Sequence, residues 1–299
     1  MQGLTLVLNA AEGRLQIVLA DGPELLCAQD WAASRRGTEL LAPALERIFS
    51  GMHLRFADLE RIACVRGPGA FTGTRLVLST AAALARASGA LLAGLDAMQA
   101  LALGVRVFLE DQNADPASQR IWVLQYARHD VALAQVFAPG RDNALPCAVS
   151  ERELLTPEQC LQRMRGQAQS GMRLWALGSA LGRHAAFTDL PEVASCAPAR
   201  LWRPSPDDLL LLAQHAEYSR QDIEALYIRP CDAVENLEKL AARQGNDPAL
   251  AKARLESLLA ASPEKTATAT RDGRIHSSAA AQDHTRQAQE THRVMAALK

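Results

Sequence analysis

No two cysteines of this 299-residue chain are spaced Cys-x-x-Cys, and no pair of histidines stands in a His-x-x-x-His arrangement. The six cysteines (Cys27, Cys64, Cys147, Cys160, Cys196 and Cys231) are scattered, mostly among apolar neighbours. That argues against a disulfide framework or a cysteine-based zinc site and suits thiols kept reduced. The missing histidine pair excludes a zinc-protease reading, and "GSALG" lacks the Gly-x-Ser-x-Gly spacing of a nucleophile elbow. No apolar stretch reaches membrane-spanning length. The N-terminus has no basic region and apolar run ahead of a cleavage site, which predicts no secretory leader and a cytoplasmic protein. Charge of one sign is also lacking. The net charge of −1 supplies no field to gather nucleic acid, against an autonomous tRNA or DNA binder.

What is present is a globular composition, 48% hydrophobic and 22% charged, in a chain long enough for two cores. Residues 4–8 and 15–20 read as strands around a Glu12-Gly13 turn, and Asp21-Gly22 signals a further hairpin. Residues 38–49 read as a helix capped by Thr38, with a kink or late start at Pro43. A short strand over 61–65 leads into a glycine loop. A helix from about Thr74 to Ala87 follows, closed by Gly89, then a strand at 91–94 and a helix at 96–103. Residues 121–126 and 131–137 read as paired strands with Arg128 and His129 at the tip. A helix over 157–165 starts at Thr156-Pro157, a strand covers 174–177, and Ser205 caps a helix with acidic residues in its first turn. Strands followed by helices, twice over, predict a two-lobed α/β chain. The expected division is a first lobe over 1–103 with a returning segment at about 204–240, and a second lobe over 104–203. Residues 241–299 are expected to form a flexible tail, too poor in large apolar groups to offset their ordering entropy, with a short helix near "RVMAALK".

The segment "VRGPGAFTGTRLVLSTAAALA" is the most informative stretch. A glycine loop opening a helix can cradle phosphate on backbone N–H groups. It can equally be a tight turn that lets the helix pack closely. The run Gly73-Thr74-Arg75 has no lysine where the P-loop requires one, which favours the structural reading. The helix itself is apolar around most of its axis and therefore needs cover on more than one side. Ser79, Ala81, Ala82 and Ala85 form a small-residue face suited to close helix packing, and the helix at 38–49 offers Leu40, Leu41, Ala44, Leu45, Ile48 and Phe49. These faces serve either a central core or a partner. Arg75 can meet an RNA phosphate, a partner carboxylate or a salt bridge within its own lobe.

Gly67, Pro68, Gly69, Ala70, Phe71, Thr72, Gly73, Thr74 and Arg75 together resemble the Gly-Pro-Gly-Ser-Phe-Thr-Gly-x-Arg run of the TsaB (YeaZ) family. "TELLAPAL", "YARHD", "RPSPDDLLLLA" and the closing "ALYIRPCDA", taken as a final strand, resemble further family segments in the same order. The resemblance spans residues 4–240. It implies the two-lobed fold of actin, sugar kinases and Hsp70 chaperones. It also implies a role in making threonylcarbamoyladenosine in tRNA, with a metal-binding transferase paralogue of the same fold and the pathway's ATPase subunit as partners. A homodimer is a second expected assembly, and tRNA is expected to be met only through the complex, with no membrane partner. By resemblance the two first-lobe helices form the dimer surface, which turns Leu41, Leu45, Ile48, Ala81, Ala82 and Ala85 into candidate partner contacts.

The chain departs from the family at the cleft. Asn9, Tyr126 and Ser179 stand where the family commonly has aspartates. Mg²⁺ is a hard cation that binds through charged oxygens, so their loss leaves a degenerate cleft and predicts no bound cofactor. The leading expectation is a non-catalytic scaffold. A nucleotide-dependent enzyme of the kinase/ATPase superfamily, or a homodimeric structural protein that has left the pathway, are the rivals.

Overall fold

The computed structural model describes residues 3–32, 36–110, 115–140, 144–227, 237–243, 245 and 247–260. Contacts divide the chain into two compact units, Met1–Cys231 and Asp232–Lys299.

The larger unit is built on two sheets. The first takes strands β1 (Leu4–Asn9), β2 (Arg14–Asp21), β3 (Glu24–Ala32), β4 (Leu59–Val65) and β5 (Leu91–Leu95) in the order β3-β2-β1-β4-β5. β1, β2 and β3 form an antiparallel meander, and β4 and β5 join β1 in parallel. The second sheet repeats this scheme. β6 (Gln119–Arg128) pairs antiparallel with β7 (Val131–Ala138) and parallel with β10 (Arg173–Leu177), as β1 does with β2 and β4. Short edge strands β8 (Cys147–Ala148), β9 (Glu153–Leu155) and β11 (Ser195–Cys196) complete it. This duplicated arrangement of three antiparallel and two parallel strands is the actin-like fold class that the sequence implied.

Alternation along the strands feeds two layers of helix. Leu4, Leu6, Leu8, Leu15, Ile17 and Leu19 face α1 (Gly37–Gly51) and α2 (Phe71–Ser88). Val7, Val18 and Ala20 face the opposite side, where α3 (Ala97–Leu103) and α6 (Pro206–Gln214) cover the sheet. α3 is buried between the sheets. Its Ala97, Ala100 and Leu103 belong to the core of the first, and its Met98, Leu101 and Ala102 pack with Ile121, Val123 and Leu133 of the second. On the outer face of the second sheet, α5 (Pro157–Gln169) buries Cys160, Leu161 and Met164.

Caps set three of these helices. Asp96 accepts from the Met98 and Gln99 amides, and the pairs Thr156/Gln159 and Ser205/Asp208 form capping boxes ahead of α5 and α6. α1 differs from expectation. It begins at Gly37 with Arg36 at the cap position and no side-chain cap bond, so Thr38 lies inside the first turn. Pro43 sits within the helix without ending it. Its ring lies on the exposed side, and its carbonyl takes a hydrogen bond of 3.2 Å from Arg47 Nε. Most of the expected final strand, "ALYIRPCDA" at 225–233, lies outside the described residues, and only 225–227 of it are described. Residues 219–227 follow the edge of the first sheet through a single bridge at Leu92 and Ser219 and a bond from Leu226 N to Arg66 O of 2.8 Å.

The smaller unit contains helices Leu237–Arg243 and Pro248–Ala260. The second is capped by Asp247, which accepts from the Ala249 amide at 2.9 Å. The flexible tail expected from 241 had a short helix only near "RVMAALK", whereas the stretch 248–260 is helical. Ala and Leu, both strong helix formers, make up much of it, and Pro248 suits a first helical position. The polar stretch 261–299, including "RVMAALK", lies outside the described residues.

Candidate functional site

The glycine loop connects β4 to α2 and is pressed against the turn between β1 and β2. Gly67 has φ +118°, and a Cβ there would stand 2.6 Å from the Leu226 carbonyl. Side chains at Gly69 and Gly73 would drive into the carbonyls of Ala11 and Ala10. The Ala70 amide donates to the Ala11 carbonyl, and Ala97 N bonds Gly67 O at 2.9 Å. The Gly67-Pro68 peptide is cis. α2 starts at Phe71, three residues earlier than predicted, because Ala70 C=O already accepts from Thr74 N at 2.9 Å. Gly73 is thus a helical residue. It is glycine because a neighbouring backbone passes where its side chain would be, not because the chain turns there. These contacts support the packing role of the loop.

The other face of the same turn looks into the cleft between the sheets. Asn9 is buried and spends both ends of its amide locally, donating to Gln16 Oε1 at 2.7 Å and accepting from Ala11 N at 3.0 Å. Gln16 continues the network to Asp30 and to the Pro204 carbonyl, at 3.3 and 3.0 Å. Across the cleft, Ser179 donates to Glu12 Oε1 at 2.9 Å and accepts from the Tyr126 amide at 3.0 Å. The Tyr126 ring stacks on His184 with centroids 5.2 Å apart, and Arg183 lies 4.8 Å from the Tyr126 centroid.

Tyr126 and Ser179 are joined by a hydrogen bond, and Ser179 reaches Glu12, which lines a small cavity with Asn9. The residue that sequence reasoning passed over is Glu12, read only as part of a turn. Its place on the β1–β2 hairpin was the available signal, but its partner lies 167 residues away. Crowding by protein pushes the Glu12 carboxyl upward, against the opposing pull of the Ser179 hydrogen bond and of Arg183. The side chain still reaches water, which screens the push. Between Asn9, Glu12, Gln16, Gln125 and Arg203 a cavity of about 20 Å³ remains. That is room for about one water, whereas small-molecule sites run to roughly 300–1,000 Å³. The residues present do not fit the Mg-nucleotide that this fold class commonly carries. Asn9 offers an uncharged oxygen that already accepts from Ala11 N, Tyr126 is stacked, and Glu12 has one carboxylate oxygen bonded to Ser179. No group of three or more His, Cys, Asp or Glu side chains placed to hold a metal occurs among the described residues.

The expected partner face needs correction. Leu41, Leu45, Ile48, Ala81 and Ala85 are all buried within the first lobe, and Ala82 is half-buried. The small residues of α2 let it sit close on β4 and α1 in its own lobe. A helix with no polar stripe gave no way to orient these faces beforehand.

The exposed side of α2 carries a different feature. Phe71 and Tyr227 are 39% and 44% exposed, and they are the exposed aromatic side chains among the described residues. Their ring centroids lie 5.2 Å apart. Arg75 Nε donates to Tyr227 Oη at 2.9 Å, and its guanidinium carbon stands 4.1 Å from the Phe71 centroid. Among the described residues no carboxylate pairs with Arg75, although Arg36, Arg86 and Arg163 each have one. Of the alternatives the sequence left open for Arg75, a salt bridge within its own lobe is not formed among the described residues, and this aromatic clasp holds the side chain.

The thiols divide by burial. Cys64 is fully enclosed and burial pushes it far above its ordinary 9.0. Burial, partly offset by Arg163, pushes Cys160 up to about 12. Cys147 and Cys196 are exposed.

Compared with known proteins, residues 31–142, less than half of the chain, match the model of the family "TsaD: tRNA N6-adenosine threonylcarbamoyltransferase". No protein of curated function matches in sequence. Two solved structures from Pseudomonas aeruginosa share the fold. One is a protein with similarity to peptidase YeaZ, at 19% identity and TM-score 0.58, and the other is YeaZ, at 18% and 0.56. Each similarity covers 76% of this chain and 100% of the other. The chain is YeaZ-like in fold, and residues 31–142, in its first half, are similar to the threonylcarbamoyltransferase family. None of the described helices is long and apolar enough to cross a membrane.

Proposed function

We propose that this chain is a non-catalytic scaffold subunit supporting threonylcarbamoylation of adenosine 37 in tRNAs that decode ANN codons. It pairs with a metal-binding transferase subunit of the same fold, acts alongside the pathway's ATPase subunit, and meets tRNA only through that complex. The similarity of residues 31–142 to the threonylcarbamoyltransferase family and the YeaZ-like fold support the pathway. The observation that carries the scaffold role is the cleft. Asn9 bonds Gln16 and Ser179 bonds Glu12, and the cavity that Asn9, Glu12 and Gln16 line is about 20 Å³, too small for a nucleotide.

Glu12 is the one observation that favours a nucleotide-dependent enzyme, since it is a carboxylate in the right cleft. A single carboxylate already bonded to a serine is a poor match to the several oxygens Mg²⁺ requires. The test is ATP turnover by the purified chain with and without Mg²⁺. The scaffold reading expects no Mg-dependent turnover. Turnover that disappears in Glu12→Ala would replace it with the enzyme reading. A homodimer is the competing assembly, and sedimentation with and without the transferase subunit separates the two.

A further inference from the structure

We propose that the partner docks on the cluster of Phe71, Arg75 and Tyr227, with the Arg75 guanidinium receiving a carboxylate of the partner protein. This rests on the scaffold reading and names the contact through which it works.

Three observations carry it. The first is the aromatic pair. Large apolar groups left in water gain most from being covered, and aromatic residues with arginine are the side chains that dominate binding energy at protein interfaces. Here Phe71 and Tyr227 touch each other and stand at the surface. The second is preorganisation. Phe71 beneath the guanidinium and Tyr227 Oη on its Nε hold Arg75 in place, so little rotamer freedom remains to be lost on binding. With Nε occupied, the two terminal nitrogens remain as a fork suited to a carboxylate. The third is charge. Residues 36–51, 71–88 and 219–227 hold five arginines and four carboxylates. Arg36 is tied to Glu39 and Arg86 to Asp222, while Arg75 is left without an acid. Arg47 and Arg220 also have no carboxylate among the described residues, but of these arginines Arg75 is the one held in an aromatic clasp, and the chain's net charge of −1 supplies no field to gather RNA. An RNA backbone would call for a run of several cations, because affinity there comes from neutralising several phosphates.

The cluster also ties two parts of the chain. Tyr227 closes a strap over 219–227 that is held at the far end of α2 by the Arg86–Asp222 pair of 2.6 Å. Docking on it therefore reads a correctly folded first lobe.

The experiment measures affinity of the full chain for the transferase subunit from the same genome, by titration calorimetry, with tRNA binding measured in parallel. Wild type binds. Arg75→Glu weakens binding by about tenfold to a hundredfold, and Phe71→Ala and Tyr227→Ala weaken it by about tenfold. Arg75→Lys falls between wild type and Arg75→Glu, because it keeps the charge and loses the fork. Arg75→Gln makes the affinity less sensitive to salt, as loss of an ion pair requires. Tm is measured for each variant alongside, and affinities are compared among variants whose Tm stays within about 2–4 °C of wild type. Wild-type affinity in Arg75→Glu overturns the inference and leaves the scaffold reading intact. Failure of wild type to bind the transferase overturns both. Loss of tRNA binding with transferase binding retained would make the cluster an RNA contact and overturn the inference alone.

Discussion

A methyl group at Gly73 would have to share space with the Ala10 carbonyl, and one at Gly69 with the Ala11 carbonyl. Neither neighbour can yield, because both belong to the backbone of the first hairpin turn. Gly73→Ala and Gly69→Ala are each expected to lose about 2–3 kcal/mol in urea unfolding, the range of overpacked core changes. Gly166 is the control. A side chain there meets nothing within 4 Å, and glycine inside a helix costs about 0.5–1 kcal/mol relative to alanine, so Gly166→Ala is expected to stabilise. Thiol chemistry checks burial independently. At pH 8, Cys147 and Cys196 are expected to react with a maleimide in the native protein, while Cys64 and Cys160 react only after denaturation. Rapid native labelling of Cys64 would mean that the β4–α2 packing is wrong. At this scale the sequence was partly legible. The run of residues 67–75 announced itself, but the reason for Gly73 lay in a strand end more than sixty positions earlier, and Glu12 had no local sign of its distant serine.

Elements were easier to read than their faces. Thr156-Pro157, Ser205-Pro206 and Asp96 marked helix starts because cap and first turn are adjacent in sequence, and the longer strands fell where apolar runs met turn residues, whereas the short edge strands β8, β9 and β11 were not read. The faces of α1 and α2 were misassigned. Periodicity identifies a buried stripe by contrast with polar residues, and α2 supplies almost none between Arg75 and Arg86. The structure divides it plainly, with Val77, Ala81 and Ala85 in the core and Phe71, Arg75 and Ser79 at the surface. Ala81→Arg is therefore expected to abolish folding of the lobe, since it buries an unpaired charge at a cost on the order of 3–5 kcal/mol. Ala82→Arg is expected to leave a folded protein. Circular dichroism and thermal unfolding of the two variants decide it, and a folded Ala81→Arg would restore the original assignment of that face to a partner.

At the scale of the molecule, the repeated sheet scheme followed from the alternation of strands and helices, whereas the closed state of the cleft did not. Closure depends on Glu12 meeting Ser179 and on Asn9 meeting Gln16, contacts that only the assembled lobes create. The unit Met1–Cys231 holds both sheets and their helical layers. A chain ending at Cys231 is expected to unfold cooperatively with a Tm within about 2–4 °C of the full chain, the shift that ~1 kcal/mol makes in a domain of this size. The scaffold account stands most directly on one measurement: threonylcarbamoyladenosine formed at position 37 of an ANN-decoding tRNA in a mixture of the transferase and ATPase subunits, with this chain present or omitted. The account predicts modification that requires this chain and survives Glu12→Ala in its cleft. Equal modification without the chain would contradict it.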